Sequence, residues 1–99
     1  MRVRLAPQVS AFLRRLAPEP RQMLRRALRD LQRGCGDIKP LEGPLQDYCR
    51  LRAGPYRVLF SYGKGHTIDC IFAERRSIIY ELFAQELVER LLRGEERSK

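Results

Sequence analysis

The spacing of apolar residues changes along the N-terminal third of the chain. Residues 2–5 alternate arginine with an aliphatic side chain, which is the period of a strand with one buried face. From Pro7, a residue suited to the first turn of a helix, apolar side chains recur at the spacing of one helix face. Pro18 and Pro20 end this stripe, and a second stripe covers residues 21–33. We therefore predict a strand followed by a helical hairpin.

The middle of the chain has the pattern of short strands. Residues 48–52 and 56–62 carry alternating or β-favouring side chains and are separated by a tight Gly-Pro turn. Residues 67–73 follow a second short turn and are also rich in β-branched and aromatic residues. Because these links are short, we predict an antiparallel meander. A short extended piece then ends at Tyr80, and residues 83–91 have the spacing of an amphipathic helix.

This order of elements predicts one α+β domain, in which an N-terminal helical hairpin packs on a small antiparallel β-sheet of three or four strands, followed by a C-terminal helix. A chain of 99 residues can bury one modest core but has no room for separate cofactor and substrate domains. We assign residues 1–92 to this single domain. Residues 93–99 are mostly charged, and we expect them to form a flexible tail.

The formal net charge is +8, and lysine supplies only three of the 20 basic Lys and Arg residues. The planar guanidinium group of arginine binds phosphate through two parallel hydrogen bonds. The charge therefore indicates a polyanionic partner, which can be RNA, DNA or an acidic protein segment. The arginine preference of a GC-rich genome is an alternative explanation for the shortage of lysine, but it does not explain the net charge.

The three cysteines indicate neither a metal site nor a disulfide framework. They lie far apart, at Cys35, Cys49 and Cys70, and form no C-x-x-C pair. We therefore expect them to act as small apolar side chains in a reducing cytosol. The N-terminus lacks the apolar run of a signal peptide, and no stretch is long enough to span a bilayer. We expect a cytoplasmic protein with no membrane association and no metal or other cofactor.

A cluster of arginines is the first candidate for chemistry. Alternation along residues 48–52 places Tyr48, Arg50 and Arg52 on one face of their strand, while the residues between them face the helices. Arg57 lies on the next strand and can join this group. Several guanidinium groups on one sheet face predict a phosphate-binding surface.

Cleavage of RNA needs only groups of the kind found near this surface. A base must help to deprotonate the 2′-hydroxyl, cations must stabilise the pentavalent phosphorane, and a donor must protonate the leaving 5′-oxygen, none of which requires a metal. We assign phosphorane stabilisation to Arg50, Arg57 and Arg76. We assign Tyr80 to the catalytic residues and Tyr48 to the RNA-binding residues. Either tyrosine can supply a phenol or stack on a base.

The proton acceptor and the role of the arginines each have open alternatives. Arginine is a poor base because its pKa stays above 12, so Glu74, a tyrosinate or the ribosome would have to accept the proton. Arg52 and Arg57 also have a structural interpretation, in which they pair with Asp47, Glu74 or Glu81.

Three further arginines extend the expected RNA-binding surface beyond Arg52. Arg75 follows the last strand of the meander, and Arg25 and Arg29 lie on the outer face of the second predicted helix. A solvated helix face is the common alternative for the last two. His66 is the only histidine, but it lies at a predicted hairpin tip and is not expected to be catalytic.

Four short motifs occur in one order along most of the chain. They are Leu-Glu-Gly at 41–43, Tyr-Cys-Arg-Leu-Arg at 48–52, Tyr-Arg-Val-Leu-Phe at 56–60 and Arg-Ser-Ile-Ile-Tyr at 76–80. Together with the helical hairpin before them and the helix after them, they resemble the RelE/ParE toxin superfamily. The resemblance implies a microbial-RNase-like fold and a cognate antitoxin protein. It also implies one of two activities, cleavage of mRNA in the ribosomal A site or inhibition of DNA gyrase.

Several residues match family positions, and two depart from them. By resemblance, Arg50 occupies a basic strand position, Arg57 the place of a phosphate-binding arginine, and Tyr80 that of a tyrosine near the scissile phosphate. Tyr48 stands where lysine is common, and Glu74 stands where relatives often have a basic residue or histidine, so the proton-transfer roles stay open.

From these observations we expect a toxin of a toxin–antitoxin pair whose partners are an antitoxin, mRNA and the ribosome. The expected activity is that of a metal-independent, ribosome-associated mRNA endonuclease (mRNA interferase) that inhibits translation. The alternatives are a ParE-like inhibitor of DNA gyrase and a catalytically degenerate toxin that only binds its antitoxin.

Overall fold

The computed structural model of the chain describes residues 1–75 and 83–85. Within this part, two helices pack on one face of a five-stranded sheet whose strand order is β1-β5-β4-β3-β2. The elements in chain order are β1 (Arg2–Leu5), α1 (Pro7–Arg15), α2 (Pro18–Leu31), β2 (Asp37–Pro40), a 3-10 turn (Gly43–Leu45), β3 (Cys49–Ala53), β4 (Tyr56–Gly63) and β5 (Thr67–Arg75). The predicted α+β class, with an N-terminal helical hairpin on a small sheet, is confirmed.

The prediction of a purely antiparallel sheet of three or four strands is wrong in two respects. β1 pairs in parallel with β5, from Arg2 opposite Thr67 to Leu5 opposite Cys70. Both helices and the three strands β2–β4 lie between these two strands in the sequence. β2 is an additional edge strand, antiparallel to β3. It has only four residues and ends in proline, which edge strands tolerate, so its sequence pattern is too short to identify it as a strand.

Both helices begin at a proline. α1 begins at Pro7, as predicted, whereas α2 begins at Pro18 and not near residue 21. Pro18 and Pro20 do end the first apolar stripe, but they also form the first turn of the next helix. Proline fits there because the first N–H groups of a helix have no intrahelical partner.

The main core lies between the helices and the sheet. Its buried residues are Val9, Phe12, Leu13, Leu24, Leu28, Leu31, Leu51, Ala53, Tyr56, Val58, Phe60, Ile68, Cys70 and Ala73. Leu51 is buried in this core and Cys49 packs against it, which confirms that these two residues of β3 face the helices. Tyr48, Arg50 and Arg52 are therefore directed to the opposite side of the sheet.

A second, smaller cluster lies on that opposite side. Leu59, Phe72 and Phe83 are its buried members, and Leu41, Leu45, Tyr48 and Ile71 pack against them. The register between β4 and β5 shifts at Leu59 and Phe60, as in a β-bulge, so that Ile71 and Phe72 both contact this cluster. Phe83 belongs to a helical segment at residues 83–85.

Several predicted features lie outside the described residues. These are the extended piece ending at Tyr80, most of the C-terminal helix, the domain limit at residue 92 and the tail at 93–99. Among the described residues, no helix is both long and apolar enough to cross a bilayer.

Candidate nucleic-acid interface

The sheet face opposite α1 and α2, called here the far face, carries a row of four charged residues. Asp37 pairs with Arg52 across β2 and β3, Arg52 with Arg57 across β3 and β4, and Arg57 with Glu74 across β4 and β5. Two arginines thus lie side by side between two carboxylates. Arg52 and Arg57 are therefore neighbours, as predicted. Glu74, one of the carboxylates that the alternative interpretation pairs with these arginines, lies opposite Arg57.

Arg50 lies in the next row of the far face, between Lys39 of β2 and Leu59 of β4. Its side chain is only 12% exposed, and its Nη1 lies 3.6 Å from Asp37 Oδ1. This Nη1 atom is buried and has no hydrogen-bond partner among the described residues. A buried donor without an acceptor is costly, so the Arg50 guanidinium is prepared to bind an anionic oxygen.

A pocket of about 280 Å³ opens beside Arg50. Its lining consists of Lys39, Pro40, Leu41, Glu42 and Arg50. We call it the Lys39–Arg50 pocket. Two of its lining residues are cationic and one, Glu42, is anionic, so cations predominate in the lining. The two cations are cross-strand neighbours on the same face of the sheet. It therefore has the charge and the donors of a small anion site.

Arg57 is the most deeply buried arginine among the described residues, with 8% of its surface exposed. Its Nη1 donates hydrogen bonds to the carbonyl oxygens of Gly54 at 3.1 Å and Tyr56 at 3.0 Å. Gly54 begins the two-residue turn between β3 and β4 and has a φ of 60°, a conformation that favours glycine. Arg57 therefore stabilises this turn and also contributes positive charge to the far face.

Tyr48 is half-buried on the far face. Its ring packs edge-on against Phe83, with the centroids 5.0 Å apart and an interplanar angle of 87°. This contact fixes the ring beside the second cluster and near the strand that carries Arg50. Tyr48 thus lies on the predicted surface, in contact with its aromatic neighbour.

Arg75 lies on the opposite side of the sheet from Arg57. Its guanidinium carbon lies 5.4 Å from the centroid of the Tyr56 ring, and Tyr56 belongs to the main core. The structure therefore separates Arg75 from the far-face arginines. Arg76 and Tyr80, which we predicted to be catalytic, lie outside the described residues.

Arg25 and Arg29 border a different surface. They line a groove of about 450 Å³ between α1, α2 and β1, together with Val3, Leu5, Ser10, Leu13, Arg14, Leu28 and Gln32. We call this surface the helix groove. Its apolar floor and its arginines distinguish it from the far face, on the other side of the sheet, so the predicted RNA-binding residues divide between two surfaces.

The sequence interpretation missed Asp37 and Lys39. The Asp-Ile-Lys-Pro segment alternates polar and apolar residues, which is a signal for a strand, but it is too short to be distinguished from a loop. Only its pairing with β3 brings Asp37 and Lys39 next to Arg52 and Arg50.

Comparison with known proteins gives structural matches. No protein-family model matches the sequence, and a search of curated proteins found no match. The RelBE2 toxin–antitoxin complex from Mycobacterium tuberculosis contains a similar chain, with a TM-score of 0.66, 27% identity, and coverage of 76% of this chain and 96% of the other. The RelB–RelE antitoxin–toxin complex from Methanococcus jannaschii matches with a TM-score of 0.62, 24% identity, and coverage of 80% and 96%.

A YoeB/ParE toxin from Agrobacterium tumefaciens matches with a TM-score of 0.62, 19% identity, and coverage of 77% of this chain and 99% of the other. The matches thus span nearly the whole of each relative. The similarity to RelE/ParE toxins that the four sequence motifs indicate is confirmed in three dimensions: the chain has the RelE-like fold and is a structural relative of the RelE and YoeB/ParE toxins.

Proposed function

We propose that this chain is the toxin of a toxin–antitoxin pair and that it inhibits translation as a ribosome-associated mRNA endonuclease. One observation carries the assignment to RNA: the buried Nη1 of Arg50 has no hydrogen-bond partner among the described residues, on a sheet face that also holds Arg52 and Arg57. Phosphate oxygens are the acceptors that such a group of guanidiniums binds best.

The proposed reaction is transfer of the RNA phosphodiester to its own 2′-hydroxyl. The 2′-oxygen attacks phosphorus, the bond to the 5′-oxygen breaks, and a 2′,3′-cyclic phosphate and a free 5′-hydroxyl result. Arg50 and Arg57 stabilise the extra negative charge of the phosphorane, which is the role that preorganised donors perform best. The positive charge comes from the protein, so this mechanism uses no metal ion.

The proton of the 2′-hydroxyl needs an acceptor, and the leaving 5′-oxygen needs a donor. Glu74 is our candidate acceptor because it is the carboxylate paired across the strands with Arg57. Tyr80, which by family resemblance stands near the scissile phosphate, is our candidate donor. Arg76 keeps its predicted role in stabilising the phosphorane.

Expression in a bacterial host tests this proposal against the gyrase alternative. The wild-type chain is expected to arrest growth and to yield cut mRNA in primer extension on a translated message, whereas Arg50→Ala at equal soluble level should leave both largely normal. Intact message together with trapped, cleaved DNA would assign the chain to gyrase inhibition. Normal growth at a verified soluble level would contradict any toxin function.

The antitoxin part of the proposal has support from a second surface. The matched chains from M. tuberculosis and M. jannaschii belong to toxin–antitoxin complexes. In this chain the helix groove combines an apolar floor, which includes Leu13 and Leu28, with Arg25 and Arg29 at its edge. Charge complementarity favours an acidic amphipathic segment as its occupant.

Charge reversal tests the helix groove as the antitoxin site. Arg25→Glu with Arg29→Glu is expected to weaken binding of the cognate antitoxin by about 10-fold or more, as measured by calorimetry. Arg52→Glu, on the far face, is the matched control for a gain of negative charge. Equal losses for the two variants would contradict a specific role for the helix groove.

A further inference from the structure

We propose that the Lys39–Arg50 pocket holds one phosphate group of a single-stranded RNA. We also propose that Asp37 lowers the affinity for this phosphate, because it contacts Arg50 and Arg52 in the free protein. This inference rests on the RNA-binding part of the proposed function. It adds a phosphate subsite on the edge strand β2 and a carboxylate that competes with the ligand.

The pocket provides two cations of different chemistry in neighbouring positions. Arg50 supplies a nearly buried guanidinium whose Nη1 has no hydrogen-bond partner within residues 1–75 and 83–85, and Lys39 lies beside it across the strands. A phosphate oxygen within reach of Nη1 would receive the hydrogen bond that this atom lacks. The lysine ammonium can neutralise a second oxygen of the same group, since its three donors rotate freely.

Asp37 is the competing anion. Its Oδ1 lies 3.6 Å from Arg50 Nη1, and its Oδ2 lies 3.4 Å from Arg52 Nε. Charge-assisted hydrogen bonds between guanidinium and carboxylate are about 2.7–2.9 Å long, so neither contact of Asp37 is a good hydrogen bond. One half-exposed carboxylate is shared between two guanidiniums and satisfies neither. A phosphate can therefore displace it at small cost.

The sign of the Asp37 effect follows from this geometry. A carboxylate beside the pocket repels an incoming phosphate and screens the two arginines, so its neutralisation should strengthen binding. If Asp37 only held the arginines in place, its neutralisation should instead weaken binding, because Arg50 and Arg52 would lose the group that orients them. The two roles predict opposite changes in affinity.

The test uses a short single-stranded oligonucleotide with 2′-O-methyl groups, which binds but has no 2′-hydroxyl to attack phosphorus. Its affinity is measured by fluorescence anisotropy over a series of salt concentrations, with each variant confirmed folded by circular dichroism. Lys39→Ala is expected to weaken binding about 3- to 10-fold and to lower the slope of log affinity against log salt by about one. Asp37→Asn is expected to strengthen binding about 3- to 10-fold.

Lys64→Ala is the matched control. Lys64 lies in the turn between β4 and β5, at the end of β4 that is remote from Arg57, and it is exposed. Its loss removes the same charge from the chain without touching the pocket, so it should change the affinity less than Lys39→Ala. Equal effects of the two lysine variants, or weaker binding by Asp37→Asn, would overturn the proposal.

The binding assay separates this inference from the proposed catalytic function. If the oligonucleotide shows the predicted pattern but mRNA is not cut, the pocket stands and the nuclease proposal fails. If Lys39→Ala cuts mRNA normally and binds like Lys64→Ala, the pocket alone is refuted. Inorganic phosphate is the third probe: if it binds the wild-type chain while the oligonucleotide does not, the site serves free phosphate and the RNA subsite is refuted.

Discussion

The contacts of each arginine, more than its place in the sequence, decide what it does. Arg21 lies in the first turn of α2, where its Nε donates to Leu13 O at 3.1 Å and its Nη2 to Leu16 O at 2.7 Å. It therefore caps the last carbonyls of α1. Arg57 similarly donates to a turn, whereas the Nη1 of Arg50 has no hydrogen-bond partner in the part of the chain that the structure describes.

Substitution of Arg57 is expected to affect stability as well as activity. Arg57→Ala removes two hydrogen bonds to the carbonyls of Gly54 and Tyr56, so the free energy of unfolding should fall by about 1–3 kcal/mol. Arg52→Ala, which loses only an exposed ion pair, should change it by less than about 1 kcal/mol. Urea denaturation measures both. Equal stability losses would show that the turn does not depend on Arg57.

The three thiols should differ sharply in reactivity. Burial raises the pKa of the Cys70 thiol to about 12, with a further contribution from Asp69, and burial also raises the pKa of Cys49. Cys35 is exposed. Because the thiolate is the reactive form, an aromatic disulfide reagent at about pH 8 should modify Cys35 quickly and Cys70 only on unfolding. Rapid modification of Cys70 in the native protein would contradict its position in the core.

Much of this residue-level detail could not be predicted from the sequence. Strand alternation correctly placed Tyr48, Arg50 and Arg52 on one face, because that periodicity is local. The partners of Arg50 depend on β2, which lies at least ten residues away in the chain, and no local pattern reveals that pairing. Arg75 lies opposite Tyr56, on the helix side of the sheet, and this position depends on the register after the bulge between β4 and β5, which the sequence does not reveal.

At the scale of elements, one side chain completes the sheet where β1 ends. β1 pairs with β5 only as far as Cys70. Beyond it, the Gln8 amide of α1 donates to Ala73 O at 2.8 Å and accepts from Ala73 N at 2.8 Å. The amide thus replaces a strand partner for Ala73. It joins the first helix to the sheet at the residue before Glu74, which belongs to the row of charged residues on the far face.

Loss of this bridge should destabilise the whole domain. Gln8→Ala leaves the Ala73 N–H and C=O without their partner, and unsatisfied buried groups cost about 1–3 kcal/mol. Gln46→Ala, at an exposed position after the 3-10 turn, is the matched control and should change stability by less than about 0.5 kcal/mol. Thermal unfolding of both variants tests this. Similar midpoints for the two would mean that Gln8 has no structural role.

The helices and the meander were predictable because their apolar spacing and turn residues are local signals. Both β3 and β4 begin within a residue of their predicted positions. The parallel pairing of β1 was not predictable, since it brings together segments more than 60 residues apart. The position of β5 beside β1 depends on how the helical hairpin and the meander between them pack, so this pairing is a property of the whole fold.

At the scale of the whole molecule, the structure separates two basic surfaces on opposite sides of one sheet. The far face has charged rows and a small anion pocket, whereas the helix groove has an apolar floor bordered by arginines. The net charge of +8 attracts polyanions to both surfaces, because long-range attraction depends little on where each charge lies. Catalysis needs a positioned guanidinium, so only the far face is expected to contribute strongly to it.

Single-turnover cleavage of mRNA on programmed ribosomes tests this account most directly, with Arg50→Ala compared with Arg25→Ala and both variants confirmed folded. Arg50 is nearly buried on the far face, and its loss should remove about 2–4 kcal/mol of transition-state stabilisation, or roughly 30- to 1000-fold in rate. Arg25 borders the helix groove and should act only through salt-screened attraction, with a loss of a few-fold that shrinks as ionic strength rises. Equal small losses for the two variants would contradict the assignment of the far face as the active surface.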